Sequence, residues 1–155
     1  MFATSIWPLI YGENDFYIFI ESGLITTITS LILLFVSRGD IKSEINLRDG
    51  FYVVTMSWIF MGLFSAIPYY QSSYFLTFTD AFFESMSGIT TTGASVLNDI
   101  EALPHGLLFW RSFTQFIGGM GIILFTIAIL PILGIGGVQL FRAEVPGPTA
   151  DKLTP

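Results

Sequence analysis

Asp80-Ala81-Phe82-Phe83-Glu84-Ser85-Met86-Ser87-Gly88-Ile89, followed at once by Thr90-Thr91-Thr92-Gly93-Ala94-Ser95, is the stretch from which the fold is read. The first part is predicted to be a short amphipathic helix over 80–89. Asp80 suits its N-cap and the positive end of its dipole. Phe82, Phe83 and Met86 form its apolar face, and Gly88 suits the C′ position. It is too short to cross a bilayer, which takes ~20 residues. Successive threonines then favour extended backbone, and Gly93 permits φ values that other residues avoid. Two readings are open. The stretch can be a re-entrant loop, since non-helical backbone at membrane depth is tolerated where protein shields it or it lines a water-filled cavity. Its carbonyls would replace the hydration shell of an alkali cation, the threonine hydroxyls would brace it, and the C-terminal end of the short helix would favour a cation. The other reading is a plain surface turn between two spans.

Working outward, the flanks are apolar over long distances. No charged residue occurs between Asp49 and Asp80, and none between Arg111 and Arg142. Of 155 residues, 52% are hydrophobic and 12% charged, about half the ~25% usual in soluble domains. Mean hydropathy is +0.70. Such runs mean membrane spans. An ordinary soluble enzyme, a disordered tail and a nucleic-acid binder are excluded, the last also by a net charge of −6. With no Cys and one His, thiolate chemistry is excluded and most zinc or triad chemistry with it. Three spans are predicted, over 16–36, 51–69 and 107–133. Met1–Tyr11 reads as the tail of a helix whose start is missing, and Gly12–Asp15 as a turn. Ser22-Gly23-Leu24-Ile25-Thr26-Thr27 imitates the Thr/Gly run but reads as ordinary helix inside the first span. Gly118, Gly119 and Gly121 sit mid-way in the third, where a kink or local unwinding is cheapest. Gly134-Ile135-Gly136-Gly137 reads as the exit turn of that span.

Basic residues set the orientation. The loop after the first span carries Arg38, Lys42 and Arg48, and the tail carries Arg142 and Lys152, so both are expected in the cytoplasm. The 70–106 connection has no Lys or Arg but holds Asp80, Glu84, Asp99 and Glu101, and is expected outside. Tyr69, Tyr70, Tyr74 and Trp110 fit an outer aromatic belt. Arg111 reads as a snorkelling interfacial side chain, with an ion-pair tether to Glu84 or Glu101 as the alternative. Glu84 reads as part of a solvated face and Glu21 as interfacial. His105 reads as a loop residue, and Gly106 as a loop position able to absorb a side chain.

Several motifs together resemble the Trk/Ktr/HKT potassium transporter family. They are Ser87-Gly88-Ile89-Thr90-Thr91-Thr92-Gly93-Ala94-Ser95, Leu103-Pro104-His105, Phe109-Trp110-Arg111-Ser112, Gly118-Gly119-Met120-Gly121-Ile122-Ile123 and Leu130-Pro131-Ile132-Leu133-Gly134-Ile135-Gly136-Gly137. The run Gln139 to Pro148 and the terminal Lys152-Leu153-Thr154-Pro155 match too. The resemblance covers about Pro8 to the last residue. It implies an all-α membrane protein with a pore of four repeats, each built as helix, pore helix, filter strand and helix. Residues 1–50 look like the leading helix pair, its first helix truncated, with a cytoplasmic loop. Residues 51–137 look like the first repeat, with pore helix 80–89 and filter 90–95, and 138–155 like a cytoplasmic tail. By this resemblance Thr91, Thr92 and Gly93 match ion-coordinating positions, with K+ at Thr91 and Thr92, and Thr90, Ala94 and Ser95 flank them. K+ is implied as the transported ion, moved passively or by symport, with no cofactor and no covalent chemistry; the chain is read as no enzyme. The resemblance also implies the bacterial cytoplasmic (inner) membrane as location. Implied partners are the remaining repeats or other subunits, a second copy of the complete subunit, membrane lipid and a cytosolic nucleotide-binding regulatory protein, with no nucleic acid. The rival reading is a small non-conducting membrane interaction protein that keeps the fold of one repeat.

Overall fold

The computed structural model describes residues 1–37 and 47–132. Every regular element among them is helical. A 3-10 turn (Phe2–Ser5) leads into α1 (Ile6–Tyr11). Then follow α2 (Phe16–Val36), α3 (Leu47–Ser65), α4 (Ile67–Gln71), α5 (Phe78–Ile89) and α6 (His105–Ile132). The chain divides into two compact units, Met1–Gly119 and Met120–Pro155. In the second, the described part of α6 shows Thr126 donating back to the Ile122 carbonyl at 2.8 Å. The expected exit turn at Gly134–Gly137, the tail over 138–155 and most of the basic loop, including Arg38 and Lys42, lie outside the described residues.

Three segments are long and apolar enough to cross a membrane: Phe16–Val36, Arg48–Gln71 and His105–Ile127, of 21, 24 and 23 residues. The far half of α2 carries exposed apolar side chains, Leu34 and Val36 among them. In water such a surface is a liability; against lipid it is the expected one. The Ser22–Thr27 imitation lies within α2, where Thr26 and Thr27 donate to the Ser22 and Gly23 carbonyls at 2.8 and 2.7 Å. The second span starts earlier than expected and is two helices rather than one. Pro68, in the first turn of α4, has no N–H to donate and crowds the preceding turn. At this break Trp110 Nε1 donates to the Ser65 carbonyl at 3.1 Å.

The core gathers where α2, α4, α5 and α6 meet: Phe19, Tyr69, Phe75, Ala81, Leu103, Leu107 and Trp110. Tyr69 and Trp110 therefore belong to the core and not to an aromatic belt, while Tyr70 and Tyr74 are exposed. Ser22 Oγ donates to Gln71 Oε1 at 2.6 Å, tying α2 to α4. The α1–α2 turn is tied to the start of α6. Glu13 accepts from the His105 N–H at 3.0 Å, pairs with His105 Nδ1 at 2.7 Å and accepts from the Gly106 N–H at 3.4 Å. Tyr11 stacks on the His105 ring at 3.9 Å. His105 is thus the first residue of α6 and part of a clamp, not a plain loop residue. Gly106 is corrected likewise: a Cβ there would lie 2.5 Å from Pro8 and 2.9 Å from Phe19, so no side chain is absorbed.

Candidate functional site

α5 begins at Phe78, two residues before the start the sequence suggested. Thr77, not Asp80, is its N-cap, and Asp80 closes a capping box. Thr77 Oγ1 accepts from the Asp80 N–H at 3.2 Å and Asp80 Oδ2 accepts from the Thr77 N–H at 3.2 Å. Both are cap-forming types three residues apart, and the reciprocal pair makes the earlier one the cap. At the other end Gly88 remains inside the helix, and Thr90 is the C-cap.

The loop over 90–95 is a folded turn and not an extended strand. Thr90 sits at φ −78° and ψ 3°, Thr91 at φ 57° and Gly93 at φ 74°. A β-branched residue with positive φ is strained, typically by ~1 kcal/mol or more. The surroundings hold it there. The Thr91 N–H donates to the Gly88 carbonyl at 2.9 Å, and the Thr92 and Gly93 N–H groups donate to the Ser87 carbonyl at 2.9 and 3.3 Å. Ser87 Oγ donates to the Ala94 carbonyl at 2.6 Å. Three consecutive amides are thereby turned toward the end of α5. Among the described residues no donor pairs with the carbonyls of Thr91, Thr92 and Gly93. Residues 90–94 are exposed. The threonine hydroxyls act locally: Thr90 Oγ1 donates to the Met86 carbonyl at 2.7 Å, Thr90 and Thr92 hydroxyls lie 2.9 Å apart, and Thr91 Oγ1 donates to the Thr90 carbonyl at 2.7 Å. Since the loop's own amides engage the Ser87 and Gly88 carbonyls, the free dipole end expected of α5 is partly neutralised.

Behind the loop lies an ion pair. Arg111 Nε donates to Glu84 Oε1 at 2.6 Å, with side-chain exposures of 19% and 1%. Glu84 Oε2 accepts from Ser95 Oγ at 2.9 Å and from the Val96 N–H at 3.3 Å. This corrects the solvated-face reading of Glu84 and the snorkelling reading of Arg111. A buried carboxylate needs a countercharge and donors, and here α6 and the returning loop bring them. Glu101 takes no part; its own N–H donates to Asp99 Oδ1 at 3.1 Å. Glu21 is exposed on α2.

α6 runs as unbroken helix through Gly118, Gly119 and Gly121, without the unwinding expected there. Gly118 allows a close contact: a Cβ on it would collide with the backbone of Ile89, the last residue of α5, including its carbonyl oxygen. Gly119 faces the loop, its Cβ position 3.7 Å from Thr91 Cγ2. A small cleft of about 50 Å³ is lined by Tyr69, Glu84, Ser87, Gly88, Gly93, Arg111, Ser112 and Gln115. Of these, Tyr69, Ser87, Gly88, Ser112 and Gln115 were not among the site residues expected from the sequence. Gln115, a polar amide within a predicted span, was a legible signal. Among the described residues no cluster of three or more His, Asp or Glu is placed to hold a metal ion. The oxygens presented at the loop are carbonyls and hydroxyls.

Comparison with known proteins gives a consistent result. Residues 17–154 match the family model TrkH, described as a cation transport protein. The Trk system potassium uptake protein TrkH of Salmonella typhimurium (strain LT2) is 44% identical over 153 residues, covering 98% of this chain and 32% of that protein. TrkG of Escherichia coli (strain K12), a Trk system potassium uptake protein, is 43% identical over 163 residues, covering 100% of this chain and 32% of that protein. TrkI of Halomonas elongata, of the same description, is 44% identical over 105 residues, 68% of this chain and 21% of that protein. The chain spans about a third of the length of the first two relatives. With the family model in agreement with matches above 40% identity over 98% and 100% of this chain, the chain belongs to the TrkH family of cation transport proteins.

Proposed function

We propose that this chain supplies one selectivity-filter segment of a potassium permeation pathway, with α5 as a re-entrant pore helix and residues 90–95 as the filter loop. One observation carries the reading. The amides of Thr91, Thr92 and Gly93 are turned inward onto Ser87 and Gly88, and three successive carbonyls have no protein donor among the described residues. Unpaired carbonyls on a strained, exposed turn suit a desolvated alkali cation, whose hydration shell they replace. Thr91, Thr92 and Gly93 coordinate K+ in this reading. Thr90, Ala94 and Ser95 flank them, and Glu84 with Arg111 is a positioning pair that holds the loop's return. The chemical selectivity and the substrate named for the relatives, potassium, come to this chain with the family. The remaining repeats come from the rest of the complete subunit. That subunit pairs with a second copy and docks a cytosolic nucleotide-binding regulator on the side of the basic loop and tail.

The test is Gly93→Ser in the complete transporter carrying this segment. A serine at φ 74° is strained and shifts the carbonyls on either side. The control is Gly50→Ser, a helical position with nothing within 4 Å of its Cβ and no positive φ. At matched membrane expression, Gly93→Ser lowers potassium-limited growth and the potassium-to-sodium uptake ratio, and Gly50→Ser leaves both unchanged. Wild-type behaviour of Gly93→Ser in both assays returns the Thr/Gly run to a plain surface turn.

A further inference from the structure

Hydroxyls on the helices of this chain commonly bond backwards. Thr27, Thr29, Ser57 and Ser112 each donate to the carbonyl four residues earlier, at 2.7 to 3.1 Å. This is the ordinary resting place of a serine or threonine inside a helix. Ser87 departs from it. It lies in the last turn of α5, is buried at 5% exposure, and donates forward by seven residues to the Ala94 carbonyl at 2.6 Å. Its backbone receives the same loop. The Thr92 N–H donates to the Ser87 carbonyl at 2.9 Å and the Thr91 N–H to the Gly88 carbonyl at 2.9 Å. With Thr90 as C-cap and Thr91 at φ 57°, this is the paired closure of a Schellman motif, whose left-handed position usually belongs to glycine. The Gly93 N–H adds a further bond to the Ser87 carbonyl at 3.3 Å. Ser87 therefore grips the loop twice, by a carbonyl that draws in two amides and by a hydroxyl that takes the next carbonyl. Ala94 is exposed like the residues before it, so without Ser87 its carbonyl would lengthen the row of unpaired oxygens. At the other end, the Thr90 carbonyl accepts from Thr91 Oγ1 at 2.7 Å. The bare carbonyls of Thr91, Thr92 and Gly93 are thus bracketed by two occupied ones.

We infer that Ser87 is a positioning residue that ends the row of coordinating carbonyls: by engaging the Ala94 carbonyl, its hydroxyl keeps a fourth oxygen off the cation and fixes the place of the other three. The inference rests on the filter reading. Preference among alkali cations depends on the number and field strength of the coordinating dipoles. An oxygen released by the protein can follow a smaller ion inward, so loss of the Ser87 hydroxyl favours sodium relative to potassium.

The experiment uses the complete transporter carrying this segment, as wild type, Ser87→Ala, Ser87→Thr and Gly93→Ser, at matched membrane expression. In Ser87→Ala the potassium-to-sodium uptake ratio falls by about two- to fivefold, the upper limit being the ~1 kcal/mol of one net hydrogen bond. A merely structural anchor would lower uptake of both ions together and leave the ratio where it was. Ser87→Thr keeps the hydroxyl, and the cleft of about 50 Å³ that residue 87 lines takes the added methyl group, so its ratio stays at the wild-type value. A structure determined in potassium shows the wild-type cation against the carbonyls of residues 91–93 alone, and in Ser87→Ala the Ala94 carbonyl is turned toward it. A wild-type cation in contact with the Ala94 carbonyl overturns the inference. So does a ratio that Gly93→Ser lowers and Ser87→Ala does not, or one that Ser87→Ala and Ser87→Thr lower equally. If Gly93→Ser and Ser87→Ala both leave transport unaltered, the filter reading itself fails and the inference falls with it.

Discussion

Glu84 and Arg111 are unequal partners, and the inequality can be measured. Glu84 is 1% exposed, whereas Arg111 retains 19%. Removing one member of a buried pair costs ~3–5 kcal/mol because the other charge is stranded. The cost depends on which charge is left behind. Glu84→Gln leaves Arg111 with access to water and keeps an oxygen able to accept from Ser95 and Val96. Arg111→Met leaves a carboxylate buried with only two neutral donors. Thermal unfolding of the detergent-solubilised complete transporter should therefore show Arg111→Met lowering Tm more than Glu84→Gln, with both below wild type. An equal or reversed order would mean that the carboxylate's environment, not the pair, sets the stability.

Two contacts between elements hold the candidate site in place. The first is the approach of α5 to α6 at Gly118. A methyl group there collides with the Ile89 backbone, so Gly118→Ala must push the helices apart. Overpacking of this kind costs ~1–3 kcal/mol. Since Ile89 immediately precedes the loop, uptake should fall as well as Tm; a variant with normal Tm and normal uptake would mean the contact is slack. The second contact is the clamp of the α1–α2 turn on α6. Burial works to raise the Glu13 pKa, but the hydrogen bonds from the His105 side chain and the His105 and Gly106 N–H groups outweigh it, and the net shift is downward from 4.5. A depressed carboxyl stabilises the folded state above its unfolded pKa, and that contribution is lost as pH falls through the lower folded value. Stability should thus decline below about 4.5 more steeply in wild type than in Glu13→Gln. Tm measured in detergent over that range for both proteins checks it, and superimposable pH profiles would remove Glu13 from the clamp's energetics.

At the level of the molecule, family membership and three helices of crossing length make this a multi-pass protein of the bacterial cytoplasmic (inner) membrane. One loop with three unpaired carbonyls can surround only part of a cation. We therefore expect the purified 155-residue chain in liposomes to carry no potassium flux above the lipid background, whereas the complete transporter does. Robust flux from the short chain would point to self-assembly into a ring of identical copies.

Hydropathy alone was enough to read the spans. A crossing helix needs ~20 apolar residues in a row, and that information is local, so the first span, over 16–36, coincides with α2 as Phe16–Val36. The short helix before the Thr/Gly run was legible for the same reason, through its apolar spacing and its length. The family resemblance was carried by motifs that lie close together in the chain. Other features could not be read this way. The solvated Glu84 turned out to be buried, the tolerant loop glycine at 106 packs on Pro8 and Phe19, and Gly118 lies where a Cβ would meet the Ile89 backbone. Tyr69, expected at the membrane surface, sits in the core. Each of these depends on which side of a helix meets which neighbour. Partners such as Glu84 with Arg111 or Glu13 with His105 lie 27 and 92 residues apart. No local pattern encodes such a meeting, because it is the packing of α5 and of the α1–α2 turn against α6 that brings those side chains together and makes burying them affordable.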